Sequence, residues 1–156
     1  MIFFEKKFKF IFLDTRYFRS PLVGPKGKYL KNRSLDSTIL GINQWNWLEK
    51  ELDEYFDFLI IFSSIQIIPQ DHGFEKWDNF PLERKRLLKL LGNTSKNKTL
   101  IAISGDRHRS GIYQNEDFIE ITASSLNKSA SKNIETDPLL IGKTYPIKNF
   151  GILDIE

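Results

Sequence analysis

Three short apolar runs, each ending in a group of polar residues and separated by helical patterns, constrain this fold more than any other feature of the chain. In the first, Phe8 to Leu13, Phe8, Phe10 and Phe12 alternate with Lys9, Ile11 and Leu13, which is the period of a strand. It stops at Asp14-Thr15-Arg16. The second, Phe56 to Phe62, is nearly continuous and reads as a strand buried on both faces, running into Ser63-Ser64-Ile65-Gln66. The third, Thr99 to Ile103, stops at Ser104-Gly105-Asp106-Arg107-His108. Between the first two lies Gln44 to Leu52, where Trp45, Leu48 and Leu52 share one helical face. A second helix is predicted from Pro81 to Leu91, with proline in its first turn, Leu87, Leu88 and Leu91 as its stripe, and Gly92-Asn93 as its stop. Phe118 to Thr122 and Phe150 to Ile155 read as two further strands. The order predicts an α/β protein, a layered sheet with flanking helices and a mixed or antiparallel edge.

Composition narrows the chemistry. The chain has 156 residues, enough for one domain with its own core. Its 23 basic and 20 acidic residues leave a net charge of only +3, too little for a nucleic-acid-binding face and a mild bias towards anions such as phosphate. With no cysteine, disulfides and thiolate metal sites are excluded. Lysines interrupt the apolar residues of Met1 to Phe12, so this stretch is not a signal peptide, and no run of ~20 apolar residues is present to span a bilayer.

The polar groups lie where an α/β sheet places chemistry, at the carboxyl ends of strands. If the three apolar runs are neighbouring strands, Asp14, Arg16, Asp106 and His108 converge on one edge. Acids with an imidazole suit a divalent or trivalent metal, and an arginine beside them suits the charge that develops during phosphoester hydrolysis. Each residue also has a simpler reading. Asp14 either caps a turn or pairs with Arg16, or it serves the site. Arg16 is either a structural ion-pair partner or a phosphate ligand. His72, in a loop with Pro69 and Gly73, is either turn-stabilising or catalytic. Trp45, Trp47 and Trp77 read as packing residues and Glu83-Arg84-Lys85-Arg86 as the solvated side of a helix.

Four blocks resemble the PhoD-like (alkaline phosphatase D) family: Phe12 to Arg19 (FLDTRYFR), Gln44 to Glu49 (QWNWLE), Ser63 to Pro81 (SSIQIIPQDHGFEKWDNFP) and Ser104 to His108 (SGDRH). The ending Asn149 to Ile155 is similar to that family's final strand. The resemblance implies a metallophosphoesterase-like αββα sandwich of two facing sheets, and hydrolysis of phosphate mono- or diesters by metal-bound water. It implies Asp106 and His108 as metal ligands, the metal being calcium, iron, manganese or zinc, with Asp14, Arg16 and His72 near the reacting phosphate. Gly105-Asp106-Arg107-His108 stands where related enzymes carry GHxH, with Asp106 in place of the first histidine. The family's earlier GDQxYxD-like and DDHD-like strings do not occur in this chain. Residues 1–156 are therefore expected to be the C-terminal half of such a domain, an incomplete hydrolase or a non-catalytic remnant. Its expected partners are a phosphate ester and either a separately encoded N-terminal half or a second copy, with no nucleic acid and no membrane. Family members are often exported. The expected fold leaves the inner face of one sheet bare, as an apolar patch.

Overall fold

A computed structural model of the chain describes residues 5–129 and 134–155. Its elements run β1 (Phe8–Leu13), α1 (Gly41–Asp53), β2 (Phe58–Ser63), α2 (Pro81–Ser95), β3 (Thr99–Ser104), β4 (Ser110–Gln114), β5 (Ile119–Ala123) and β6 (Leu140–Tyr145). They form one six-stranded sheet in the order β1-β2-β3-β5-β4-β6. β1, β2, β3 and β5 are parallel, while β4 runs antiparallel to both β5 and β6. The predicted α/β mixed sheet is what the chain forms.

Two consecutive right-handed crossovers in one direction put α1 and α2 on the same face of the sheet. Burial agrees. Ile11 and Leu13 of β1, Leu59 and Ile61 of β2, and Leu100 and Ala102 of β3 pack with Trp45, Leu48 and Leu52 of α1 and Leu87 and Leu91 of α2 in one core. The Trp45 and Trp77 rings meet edge to face with centroids 6.4 Å apart. No helix covers the opposite face among the described residues; Leu153 and Ile155 border a groove there with Phe8, Phe10, Ile60 and Phe62, and Phe8, Phe10 and Phe12 of β1 remain exposed.

Several boundaries depart from the sequence pattern. α2 does not stop at Gly92-Asn93 but continues to Ser95. A Cβ at Gly92 would lie 2.4 Å from a carboxylate oxygen of Asp117, so a larger residue here would have to turn that exposed side chain aside. β4 and β6 are strands that the pattern did not reveal. Phe150 to Ile155, expected to be a closing strand, has no strand pairing along residues 150–155. Residues 130–133 of the polar Ser124 to Asn133 stretch lie outside the described residues, as do residues 1–4. Glu83 and Arg84 do not face solvent. Glu83 is 9% exposed and accepts hydrogen bonds from Trp45 Nε1 at 2.9 Å, Thr38 Oγ1 at 2.8 Å and Ile39 N at 2.8 Å. Arg84 donates to the carbonyls of Ile67 at 2.8 Å and Ile68 at 2.5 Å. No helix among the described residues is long and apolar enough to cross a membrane.

Candidate functional site

The parallel register puts Leu13, Ser63, Ser104 and Thr122 side by side at the ends of β1, β2, β3 and β5. The segments that follow them therefore leave the sheet at a common edge, the usual place for a site in an open α/β sheet. Short hydroxyl bonds tie the exits together. Thr15 Oγ1 bonds Ser64 Oγ, Ser104 Oγ bonds Thr122 Oγ1 at 2.8 Å, and Gln66 Nε2 donates to Thr122 Oγ1 at 2.8 Å. Below them Glu120, fully buried on β5, accepts the N–H groups of Ile67 at 2.9 Å and Ile68 at 2.6 Å. Burial pushes the Glu120 carboxyl above the ordinary carboxylate range, and the hydrogen bonds that it accepts act in the opposite direction. This carboxylate, with Arg84 on the neighbouring carbonyls, fixes the start of the loop that carries His72 and Glu75.

Asp14 caps its own turn. Its Oδ1 accepts from Arg16 N at 2.8 Å and Tyr17 N at 2.9 Å. The bonds from the Tyr17 and Arg16 N–H groups hold its carboxyl below the usual range. Gln44 of α1 clasps the same residue, accepting from Asp14 N and donating to Asp14 O, both at 2.8 Å. Asp14 thus sets the direction of Arg16 through the backbone and makes no ion pair with it. The Arg16 guanidinium reaches Glu75 at 2.8 Å and Asp106 Oδ1 at 3.5 Å. Glu75 also receives Arg19 at 2.5 Å. The sequence reading passed over Glu75, although it lies in the long Ser63 to Pro81 block. Two arginines from the exit of β1 converge on this one carboxylate.

The turn after β3 alternates in and out. Asp106 and His108 are exposed, whereas Arg107 and Arg109 are buried. Asp106 and His108 hold left-handed backbone, with φ of 68° and 52°. Such angles are uncommon for residues with a side chain and cluster at ligand-binding turns. Gly105 has no positive φ, and a Cβ there would meet only ordinary contacts, the nearest being Ser64 O at 3.5 Å. The turn's strain is therefore carried by the acid and the imidazole. Arg107 and Arg109 both pair with Glu135, and the Arg107 guanidinium lies 4.6 Å from the centre of the Phe74 ring.

His72, Asp106, Arg107, His108, Arg109 and Glu135 line a cleft of about 750 Å³. His72 Nδ1 accepts the Phe74 N–H at 3.2 Å, which leaves the ring proton on Nε2. Nε2 is buried with no partner among the described residues. Burial first, then the charges of Arg107, Lys76 and Arg109, push His72 down to about 2, so the ring is neutral. The structure thus brings Arg16 to Asp106 on one flank and His72, Asp106 and His108 to one cleft on the other. Asp14 stays on its own turn.

Among the described residues, no three His, Asp or Glu side chains come together to hold a metal ion. A catalytic metal needs at least three protein ligands besides its water. The donor set of this chain alone does not fit the metal centre that the family resemblance implies.

The fold places the chain among known structures. It is similar to the structure of PhoD, with a TM-score of 0.74 and 19% identity, covering 92% of this chain and 33% of that one. It is also similar to GAP50, described as the anchor in the inner membrane complex of Plasmodium, with a TM-score of 0.62 and 19% identity, covering 90% of this chain and 39% of that one. The chain thus spans only about a third of the length of these proteins. No curated protein matches it. The family model for PhoD-like phosphatases matches residues 4–145, nearly the whole sequence and the span that holds all four blocks. This chain therefore belongs to the PhoD-like phosphatase family.

Proposed function

We propose that this chain is the C-terminal portion of a metal-dependent phosphoester hydrolase domain and carries one flank of its active site. The observation behind this reading is the contact between Arg16 from β1 and Asp106 from β3 at the shared strand-end edge, 3.5 Å apart, in a chain of this family. Arg16, about half exposed and aimed by the Asp14 turn, binds the phosphoryl oxygens of the ester. Asp106 and His108 contribute two donors towards a metal whose remaining ligands come from another stretch of polypeptide. His72, kept neutral beside the cleft, carries no charge there, and its Nε2–H is a buried donor still without a partner. The metal, when bound, would activate water and offset charge on the phosphate.

The test is an assay of p-nitrophenyl phosphate with added calcium, iron, manganese or zinc. The chain is measured alone and together with the product of the reading frame immediately upstream. Turnover is expected only in the combined sample, removed by a chelator and reduced roughly 10-fold or more by His108→Ala, the size seen even for outer partners of metal ligands. A combined sample that forms a complex but turns nothing over would defeat the reading.

One observation favours a second reading. Because the described residues assemble no metal-holding group, the chain also fits a non-catalytic fragment that binds without turnover. The similarity to GAP50, described as an anchor, is in keeping with that role. The combined assay separates the two, since metal-dependent turnover that a chelator removes would rule out the non-catalytic fragment, whereas a complex without turnover would favour it.

A further inference from the structure

The turn after β3 sends two arginines inwards, and one carboxylate serves both. Arg107 and Arg109 are 6% and 3% exposed. Glu135 Oε1 takes Arg107 Nη2, and Glu135 Oε2 stands 3.3 Å from Arg109 Nε. Arg109 also donates to Thr144 Oγ1 at 3.1 Å. The Arg107 guanidinium keeps a buried Nε–H with no partner among the described residues, and the His72 ring, on the same cleft, keeps another at Nε2. A third cation, Lys76, is also buried and gives its ammonium to the uncharged carbonyl of His72. Lys76, Arg107 and Arg109 all act on the His72 ring, so their charges meet at one place. Buried N–H donors are nearly always paired in folded proteins, and a buried charge without a counter-charge is strongly unfavourable. This part of the cleft therefore holds more positive charge and more donors than its own residues answer.

Glu135 is also lightly mounted. Residues 134–136 make no backbone hydrogen bond among the described residues. The segment is pinned further on, at Asp137, whose Oδ2 accepts Gln70 N at 2.6 Å and Asp71 N at 3.0 Å. Two residues before that pin, Glu135 is held by its carboxylate. Backbone with no bonds to break lets such a side chain swing out when a stronger anion arrives. A phosphate monoester group carries about −1.5 to −2 at pH 7 and three acceptor oxygens, against one charge and two oxygens on a carboxylate. Guanidiniums take phosphate in bidentate pairs. Lys26, in a short loop closed by the Val23–Leu30 bridge, lines the same cleft and adds a further cation to it.

We propose that Arg107 and Arg109 form a second anion site, which Glu135 fills in the free chain and which takes a second phosphate group of the substrate once Glu135 swings out. The reacting phosphate belongs to the flank of Arg16, Asp106 and His108, so the preferred esters carry two phosphates. The use of the site in substrate choice rests on the hydrolase reading; the site itself does not.

The site is tested on this chain by itself with inorganic phosphate, read by thermal melting and by the arginine Nε–H signals in proton–nitrogen NMR. Glu135→Gln is expected to bind phosphate about 10-fold or more tighter than the unchanged chain, and its melting temperature is expected to climb with phosphate concentration. The Arg107 Nε–H signal is expected to move during the titration. Adding Arg16→Ala to Glu135→Gln should keep the gain, and adding Arg107→Gln should remove it. If Glu135→Gln unfolds the chain, phosphate is expected to restore the fold. Four results would overturn the proposal: equal affinities with and without the Glu135 carboxylate, an unmoved Arg107 signal, a gain that Arg16→Ala removes, or a Glu135→Gln chain that stays unfolded at high phosphate. In the combined sample that turns substrate over, the KM of ethylene glycol bisphosphate is expected to lie about 10-fold or more below that of ethyl phosphate, and Arg107→Gln is expected to close this gap. Equal KM values would overturn the assignment of the second phosphate to the substrate. The titration involves no catalysis, so a combined sample without turnover sinks the hydrolase reading while the phosphate result still decides the site.

Discussion

The two faces of one sheet, built from alternate residues of the same strands, follow opposite rules. On the helical face the row Ile11, Ile61, Ala102, Glu120 and Tyr113 is buried throughout, and its one carboxylate is fully satisfied. In the neighbouring register row Phe12, Phe62, Ile103, Ile121 and Ile112 are apolar throughout, yet none is buried. A one-residue step changes the face but not the hydrophobicity. Ordinary solvent-facing strands alternate with polar residues, so strands apolar on both sides belong between two layers. The buried core of this chain therefore sits on the helical face.

The most severe test of that contrast is Trp45→Ala. Trp45 is 1% exposed, under an Arg86 guanidinium 4.2 Å from its ring, and its loss is expected to cost about 3–5 kcal/mol in urea unfolding. A cost below about 1 kcal/mol would mean that the helical face is not the core. Next comes Glu83→Gln, which leaves one acceptor oxygen for the donors of Trp45, Thr38 and Ile39 and is expected to cost about 1–3 kcal/mol.

The third prediction concerns pH. His72 stays neutral in the fold, pushed down to about 2, whereas the unfolded chain takes up a proton near the ordinary value of 6.5. The unfolded state thus binds more protons below pH 6.5, and stability falls as pH drops through that range, by up to about 1.4 kcal/mol per pH unit. His72→Gln is expected to flatten this part of the curve; urea midpoints between pH 7 and pH 4 measure it, and an unchanged slope would refute the burial of the ring. The smallest effect on stability is expected from Phe10→Lys, at 55% exposure on the open face. It should change unfolding by less than about 0.5 kcal/mol while raising solubility and lowering dye binding to apolar surface. A large destabilisation would erase the distinction between the faces.

Much of this was legible in the sequence because β1, β2 and β3 are parallel strands with nearly continuous apolar runs. β4 and β6 were not. Ser110 to Gln114 buries only Gly111 and Tyr113, and Leu140 to Tyr145 carries a glycine and a lysine. Such strands take their shape from a neighbour's ladder more than from their own pattern. The pattern at Phe150 to Ile155 was correct as alternation and wrong as structure, since a strand needs a second strand to pair with. Gly92 looked like a stop signal, yet it lies inside α2, packed against the Asp117 side chain 25 residues downstream. Glu83 and Arg84 looked solvated inside a charged string, and no local rule reveals that an indole N–H and two loop carbonyls await them. In the site, Asp106 and His108 stood out through the strand that precedes them. Glu75 and Glu135 did not, because a carboxylate that gathers arginines is defined only by where the arginines go.

Glu83 has a consequence for how the chain is made. Helix α1 has Leu40 as its N-cap, which supplies no side-chain hydrogen bond, and the N–H groups of Ile39 and Leu40 lead to a carboxylate on α2. A ribosome delivers residue 39 well before residue 83. Until α2 emerges, these donors can turn only to water, and the Trp45 indole has no buried acceptor to settle on. Chains stalled between α1 and α2 should therefore be cut readily by protease near Thr38 to Gly41, and chains released after residue 95 should resist.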